Sequence, residues 1–237
     1  MSTANLSSLS ILMNIITAPP QAFVAIKERP TVWLPVVILI VLSCAASVTY
    51  MLSVDLAWML DQTFAQAQNL PPADRERVLQ AALKLPRAVY AVFGAAGGVF
   101  GLPAVLAITG VYYTGVSFLT RDNIKFEHWF ALTSWCALPT AFGLVASLVH
   151  VVSGDARFLR PEELNPFSFA SLFGIDMASA TTVQRILLAR DVTAVWSLVL
   201  SIVGYQAFTK RSLAFSALVV LGPIGLIVVI ATVVALR

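Results

Sequence analysis

Residues 88–120 read AVYAVFGAAGGVFGLPAVLAITGVYYTGVSFLT, a run of 33 residues without one charged side chain. Arg87 precedes the run and Arg121 follows it. A helix of this length extends about 50 Å, whereas the hydrocarbon core of a bilayer is about 30 Å thick. The run therefore predicts a membrane-spanning helix that tilts, bends or projects beyond the hydrocarbon.

Small residues in the first half of this run predict a helix-packing face. Their spacing of three and four forms two overlapping GxxxG patterns on one helical face, made of Gly94, Gly97, Gly98 and Gly101. Such faces let two helices approach closely in lipid; a pore or ligand face is the alternative. Pro103 follows and removes the hydrogen bond to the carbonyl of Val99, so we expect a bend there.

The composition places the whole chain in the membrane. Of its 237 residues, 59% are hydrophobic and 11% are charged, against about 25% charged in soluble proteins. The lipid bilayer is thus the first predicted partner. Basic residues occur singly or in pairs, so nucleic acid is not expected as a partner. Cys44 and Cys136 belong to no metal-ligand pattern, and we expect neither a metal site nor a cofactor.

Residues 1–31 are predicted to be an interfacial amphipathic segment. Apolar residues recur at three and four residues between Leu9 and Ile16, which indicates a helix too short to span and suited to the membrane surface. Pro19 and Pro20 end it. A second short helix is expected over residues 21–29, with Phe23 on its apolar side.

Residues 32–237 are predicted to form an all-α membrane domain, a five-helix transmembrane bundle. The expected spans are residues 32–54, 88–120, 130–152, 192–208 and 213–236. Pro139 lies in the middle of the third span, where we expect a kink that frees backbone carbonyls into the bundle.

The loop of residues 153–190 contains an apolar run that a fully solvated segment would not favour. Phe167, Phe169 and Phe173 belong to it. We interpret the loop as interfacial or re-entrant, and its aromatic side chains as candidates for binding a partner.

Few polar residues are candidates for a functional site. Asp191 is expected to cap the fourth span, with a polar site inside the bundle as the alternative. The other candidates are Tyr112, Tyr113, Pro139 and Trp196. His128 and His150 fall at opposite ends of the third span, about 30 Å apart, and cannot share a catalytic site. No enzymatic activity is expected.

Two stretches carry a family resemblance. The first leads into the first span and comprises Thr17, Ala18, Pro19, Ala22, Phe23, Ile26, Lys27, Pro30, Trp33 and Pro35. The second runs from the long loop into the fourth span and comprises Asn165, Pro166, Phe167, Ser168, Leu187, Leu188, Asp191, Val195, Trp196, Leu200 and Gly204. With Pro139, these residues resemble the bacterial branch of the Yip-domain family, the Ypt-interacting-protein family.

The resemblance implies a five-span fold with a cytoplasmic N-terminus. In eukaryotic relatives it also implies contact with Rab-type GTPases and vesicle membranes, whereas bacterial members have no settled activity. This sequence does not show the long cytoplasmic N-terminal region of the eukaryotic proteins, so we expect the GTPase role not to apply.

Two functions remain in contention. A membrane scaffold that binds a membrane-protein partner or forms a homo-oligomer fits the resemblance and the scarcity of charge within the spans. A small transporter or channel is the alternative, because Pro103, Pro139 and Pro223 interrupt spans as transport sites often require.

Charge around the first span predicts the orientation. Lys27 and Arg29 precede this span, and the next basic residue after it is Arg75. Because positive flanks favour the cytoplasm and first spans usually dominate, we expect a cytoplasmic N-terminus in a bacterial inner membrane.

Reporter fusions test this topology. Fusions at Arg29, Glu127 and Lys210 should all report the cytoplasm, and fusions at Asp74 and Glu163 should report the opposite side. A cytoplasmic signal at Glu163 would contradict the five-span arrangement.

Overall fold

A computed structural model describes residues 7–65, 71–177 and 180–235, and over these ranges the chain is helical apart from turns and one isolated bridge, Ser168–Asp191. The predicted all-α class is confirmed. The first six residues of the N-terminal segment, residue 236 at the end of the last predicted span and residue 237 after it lie outside the described residues.

The helices follow the chain in a simple order. The first eight are α1 Ser8–Thr17, α2 Pro19–Glu28, α3 Trp33–Ser53, α4 Leu56–Ala65, α5 Pro72–Leu83, α6 Arg87–Ala96, α7 Leu102–Thr120 and α8 Phe126–Cys136. The others are α9 Thr140–Ser153, α10 Phe169–Phe173, α11 Thr182–Leu188, α12 Val192–Thr209 and α13 Leu213–Ala235. A π-helical turn, Gly97–Gly101, joins α6 to α7, and 3₁₀ turns occupy Ala156–Phe158 and Pro161–Glu163.

Four helices in the described part of the chain are long and apolar enough to cross a membrane. They are α3, the continuous helix Arg87–Thr120, α12 and α13. Helices α8 and α9 form a fifth span if they are taken together, with a bend of 42° between them. Pro139 is the residue before α9, so the third predicted span breaks where its proline stands.

The interruption near Pro103 takes the form of the π-helical turn. The N–H of Leu102 bonds to the carbonyl of Gly97, five residues earlier. A proline has no N–H and its ring excludes the carbonyl four residues earlier, and a widened turn accommodates both constraints. The helix therefore continues through the proline without ending.

Close contact with the bundle holds the N-terminal helices. Phe23 and Ile26 of α2 are fully buried, and α2 packs against α8 and α12. Gly204 of α12 makes this possible, since a Cβ there would lie 2.5 Å from Leu132 and 2.9 Å from Phe23. The apolar face of α2 is covered by protein, and that of α1 is covered in part, because Leu9 stays exposed.

Two hydrophobic cores occupy the two ends of the molecule. The larger one joins α1, α2, α7, α8, α12 and α13 around Trp129, Trp135 and Tyr205. The smaller one joins the end of α3 to α4, α9 and the first 3₁₀ turn, through residues that include Tyr50 and Val151. Helix α8 belongs to the larger core and α9 to the smaller one. The break at Pro139 therefore allows the two halves of one span to pack into different cores.

The four glycines of the predicted packing face have two different surroundings. Gly98 faces α3, where a Cβ would lie 2.9 Å from Ser43 Oγ and 3.2 Å from Cys44 Sγ. Gly94 faces the same helix one turn earlier, at Ser47. A Cβ on Gly97 or Gly101 would meet no atom within 4 Å.

These surroundings give a matched pair of substitutions. We expect Gly98→Leu to lower the thermal unfolding midpoint in detergent, because the new side chain overpacks the contact with α3, typically at a cost of about 1–3 kcal/mol. Gly97→Leu adds the same atoms at the adjacent residue, where they enter open space. This variant should leave the unfolding midpoint nearly unchanged. Equal midpoints for the two variants would contradict the packing role of Gly98.

Candidate functional site

The loop after α9 docks onto the start of α12. The N–H of Phe169 donates to the carbonyl of Arg190 at 2.9 Å, beside the antiparallel bridge between Ser168 and Asp191. The Asn165 side chain accepts from the N–H of Phe167 at 3.0 Å and thereby closes a tight turn. Residues 165–169 are thus fixed to α12 although they lie more than twenty residues away in the chain.

Asp191 is the centre of a buried polar cluster. Its carboxylate accepts from the N–H of Ala194 at 2.7 Å, which caps α12, and from the hydroxyl of Thr193 at 2.7 Å. The amide of Asn165 donates to its second oxygen. Asp191 is only 8% exposed. Three donors and the positive end of the α12 dipole stabilise the carboxylate where little water reaches it.

Gly143 of α9 provides the space for this cluster. A Cβ at this position would lie 2.8 Å from the Asp191 carboxylate and 3.1 Å from the Asn165 amide. Gly143 precedes the end of α9 at Ser153 by ten residues, about 15 Å along the helix. The loop therefore folds back alongside α9 instead of projecting from its end.

A groove lies over this docked loop, and we call it the loop groove. Its volume is about 440 Å³, and its walls come from α4, both 3₁₀ turns, α10 and the segment that follows. The lining residues are Trp58, Phe158, Arg160, Glu162, Glu163, Ala170, Ser171, Gly174, Ile175, Asp176 and Met177. A smaller cavity of about 170 Å³ shares Trp58, Arg160 and Glu162 with it.

The loop groove combines aromatic and charged side chains. Trp58 and Phe158 meet edge to face, with 5.6 Å between ring centroids. Arg160 pairs with Asp176 at 3.0 Å. Phe158 is 59% exposed, and Phe173 on the adjoining α10 is 71% exposed. An apolar surface with fixed charges at its edge is suited to binding another protein segment.

The predicted site residues do not form one site. Phe167, Phe169 and Phe173 belong to the docked loop, with Phe169 and Phe173 stacked at 6.3 Å. Asp191 caps α12, where the loop docks. Trp196 lies further along α12, against Phe142 of α9.

The other predicted residues lie between helices. The Tyr112 hydroxyl donates to the carbonyl of Val219 at 2.9 Å and ties α7 to α13. The Tyr113 ring is 5.5 Å from Trp129 and 5.5 Å from Tyr205 in the larger core. Pro139 marks the break directly before α9, the helix that carries Gly143.

Sequence reasoning missed Trp58, Phe158 and Arg160 of the loop groove and the role of Gly143. Trp58 and Arg160 come together only through the fold, and no local pattern joins them. The signal for Gly143 was its place four residues after Pro139 in an otherwise apolar helix. In the described ranges, no group of three or more His, Cys, Asp or Glu side chains could hold a metal ion.

Comparisons with known proteins identify relatives of the chain. The sequence profile of the Yip1 domain matches residues 13–235. The chain is also similar to the membrane protein YknW of Bacillus subtilis strain 168, with 26% identity over 216 residues, 89% of this chain and 85% of that protein. No solved structure matches the chain significantly.

The contact between Gly143 and Asp191 can be tested by a double-mutant cycle. We expect Gly143→Ala to lower the unfolding midpoint, because its Cβ displaces the carboxylate and leaves buried donors without a partner, at a cost of about 1–3 kcal/mol. Asp191→Ala should also be destabilising, through the lost cap. Once Asp191 is alanine, Gly143→Ala should cost much less.

Gly115→Ala is the matched control for this cycle. It lies in α7, where a Cβ would meet no atom within 4 Å, so the midpoint should not fall. Additive effects of the substitutions at 143 and 191 would mean that the two residues do not interact.

Proposed function

Since the chain belongs to the Yip1 domain family, an integral membrane family, we propose that it is a membrane scaffold that binds a partner membrane protein through the loop groove. The observation that carries this proposal is the loop groove itself, an exposed aromatic surface on a segment fixed to the bundle. The partner is a second membrane protein or a second copy of this chain.

Rigid attachment supports this role for the loop groove. The Asp191 cluster and the bond from Phe169 to Arg190 hold one wall of the groove against α12. The opposite wall carries Trp58, on α4 beside the smaller core. A preformed aromatic surface loses little conformational entropy on binding, so the loop is suited to recognition.

The orientation is part of the proposal. With the N-terminus in the cytoplasm, the loop groove faces the outer side of the bacterial inner membrane, and so does its partner. The positive residues before the first span support this orientation. We assign the chain no catalytic role.

Transport is the second candidate function, and the break at Pro139 is the observation that favours it. A broken span supplies free carbonyls at many transport sites. Here the carbonyls of Ala137, Leu138 and Pro139 accept from the N–H groups of residues 140–142 at 2.9–3.0 Å. The carbonyl of Trp135, four residues before Pro139, accepts from the N–H of Leu138 at 3.3 Å. These four acceptors are paired within the turn, which favours a scaffold over a transport site.

Photocrosslinking in native membranes tests partner binding. A photoreactive phenylalanine analogue at Phe173 should give a discrete protein adduct, and the adduct mass separates a second copy from another protein. Trp58→Ala in the same chain should reduce the yield several-fold, because Trp58 forms the facing wall of the loop groove.

The control probe replaces Phe118, which is 82% exposed on the membrane-spanning α7. Its products should not depend on Trp58. If Phe173 and Phe118 give the same products, or if Phe173 gives no protein adduct, the loop groove does not bind a partner.

A further inference from the structure

A second groove lies between α2 and α12, at the opposite end of α12 from the loop groove. Its volume is about 360 Å³. Val24 of α2 and Val203 and Ala207 of α12 form apolar walls, and Gln206, Lys210 and Arg211 also line it. Residues 203, 206, 207 and 210 share one face of a helix, so the groove runs from apolar to polar along the last two turns of α12.

The walls of this groove are fixed by hydrogen bonds. Lys27 near the end of α2 donates to the carbonyl of Phe208, and this bond joins the two helices. Arg211 is held by Asp122, with 3.0 Å between Nη2 and Oδ1, and by the carbonyl of Thr120 at 2.7 Å. The groove therefore exists before any ligand binds.

Of the two cations at the mouth, Lys210 carries the uncompensated charge. Burial works to raise the pKa of Asp122, but hydrogen bonds from Arg211 and Thr120 and the charge of Arg211 bring that pKa below its ordinary value. Asp122 is therefore ionised and neutralises Arg211. Lys210 is exposed and pairs with no acid in the described ranges.

The whole end of the molecule around this groove is basic. Its basic residues outnumber its acidic ones by six to three, and they are Lys27, Arg29, Arg121, Lys125, Lys210 and Arg211. The loops at the other end carry nine acidic and eight basic residues. A positive end next to the membrane surface attracts negatively charged headgroups.

We propose that this groove binds one anionic phospholipid, with part of an acyl chain between Val24 and Ala207 and the phosphate at Lys210. A ligand that fits this groove is apolar where it contacts Val24, Val203 and Ala207, and negatively charged where it contacts Lys210. A membrane phospholipid meets both requirements and is present at the level where α12 ends. This site lies at the other end of the bundle and does not depend on partner binding.

Native mass spectrometry of the full-length protein in detergent tests the proposal. The probes are palmitoyl-oleoyl phosphatidylglycerol and the zwitterionic phosphatidylcholine with the same acyl chains. We expect tighter binding of phosphatidylglycerol, and Lys210→Gln should weaken it about fivefold, the effect of one basic residue near the surface. Phosphatidylcholine binding should change little in this variant.

Arg121→Gln is the matched control. Arg121 follows α7 as Lys210 follows α12, both have positive φ, 59° and 61°, and both are exposed, but Arg121 does not line the groove. This variant should bind phosphatidylglycerol within twofold of the unmodified protein. If the two variants lose the same amount of affinity for phosphatidylglycerol, the lipid is attracted by the overall positive charge of this end. That result would overturn the proposed site.

Ala207→Phe tests the acyl-chain part independently. The larger side chain fills the groove, so the binding of both lipids should fall. If this variant unfolds, the comparison of Lys210→Gln with Arg121→Gln still decides. Equal affinity of the unmodified protein for the two lipids would also overturn the proposal.

Discussion

Close approach of helices at positions without a side chain is the constraint on which this structure depends. Lipid tails are as apolar as leucine, so helices in a membrane gain little from burying apolar surface and rely on packing and hydrogen bonds. The missing side chain leaves space for Ser43 at Gly98, for the Asp191 cluster at Gly143 and for Phe23 at Gly204. Each contact joins elements that are distant in sequence, and a single methyl group at any of them would fall within 3 Å of another side chain.

Helix α12 is the element on which two of these contacts converge. Near its end, Phe23 of α2 and Leu132 of α8 pack against Gly204. At its start, Asp191 receives Asn165 of the loop and lies against Gly143 of α9. The N-terminal helices and the long loop are thus held by one helix at its two ends. This arrangement explains how segments too short to span the membrane still have defined positions.

The sequence predicted the features that the lipid environment imposes directly, which are the membrane spans and the break at Pro139. Long apolar runs reveal spans because hydrocarbon excludes charge, and Pro139 revealed a break because proline cannot complete the helix ladder. An amphipathic pattern could not reveal that Phe23 is buried by protein, since a face that suits lipid equally suits a neighbouring helix. Gly97 and Gly98 look alike in sequence but have different surroundings, because a helical repeat does not say which helix lies opposite. The loop groove depends on Trp58 and Arg160, which only the tertiary fold brings together.

The two ends of α12 differ in charge in the way that its dipole requires. Asp191 caps the positive N-terminal end, while Lys27 donates to a carbonyl at the negative C-terminal end and Lys210 follows directly. Each charge stabilises the helix by its interaction with the dipole, and Lys210 also lines the second groove. A charge reversal of the helix ends would oppose the dipole and would replace the positive charge of Lys210 in the second groove by a negative one. Helix stability and the proposed binding of an anionic lipid therefore favour the same distribution of charge along α12.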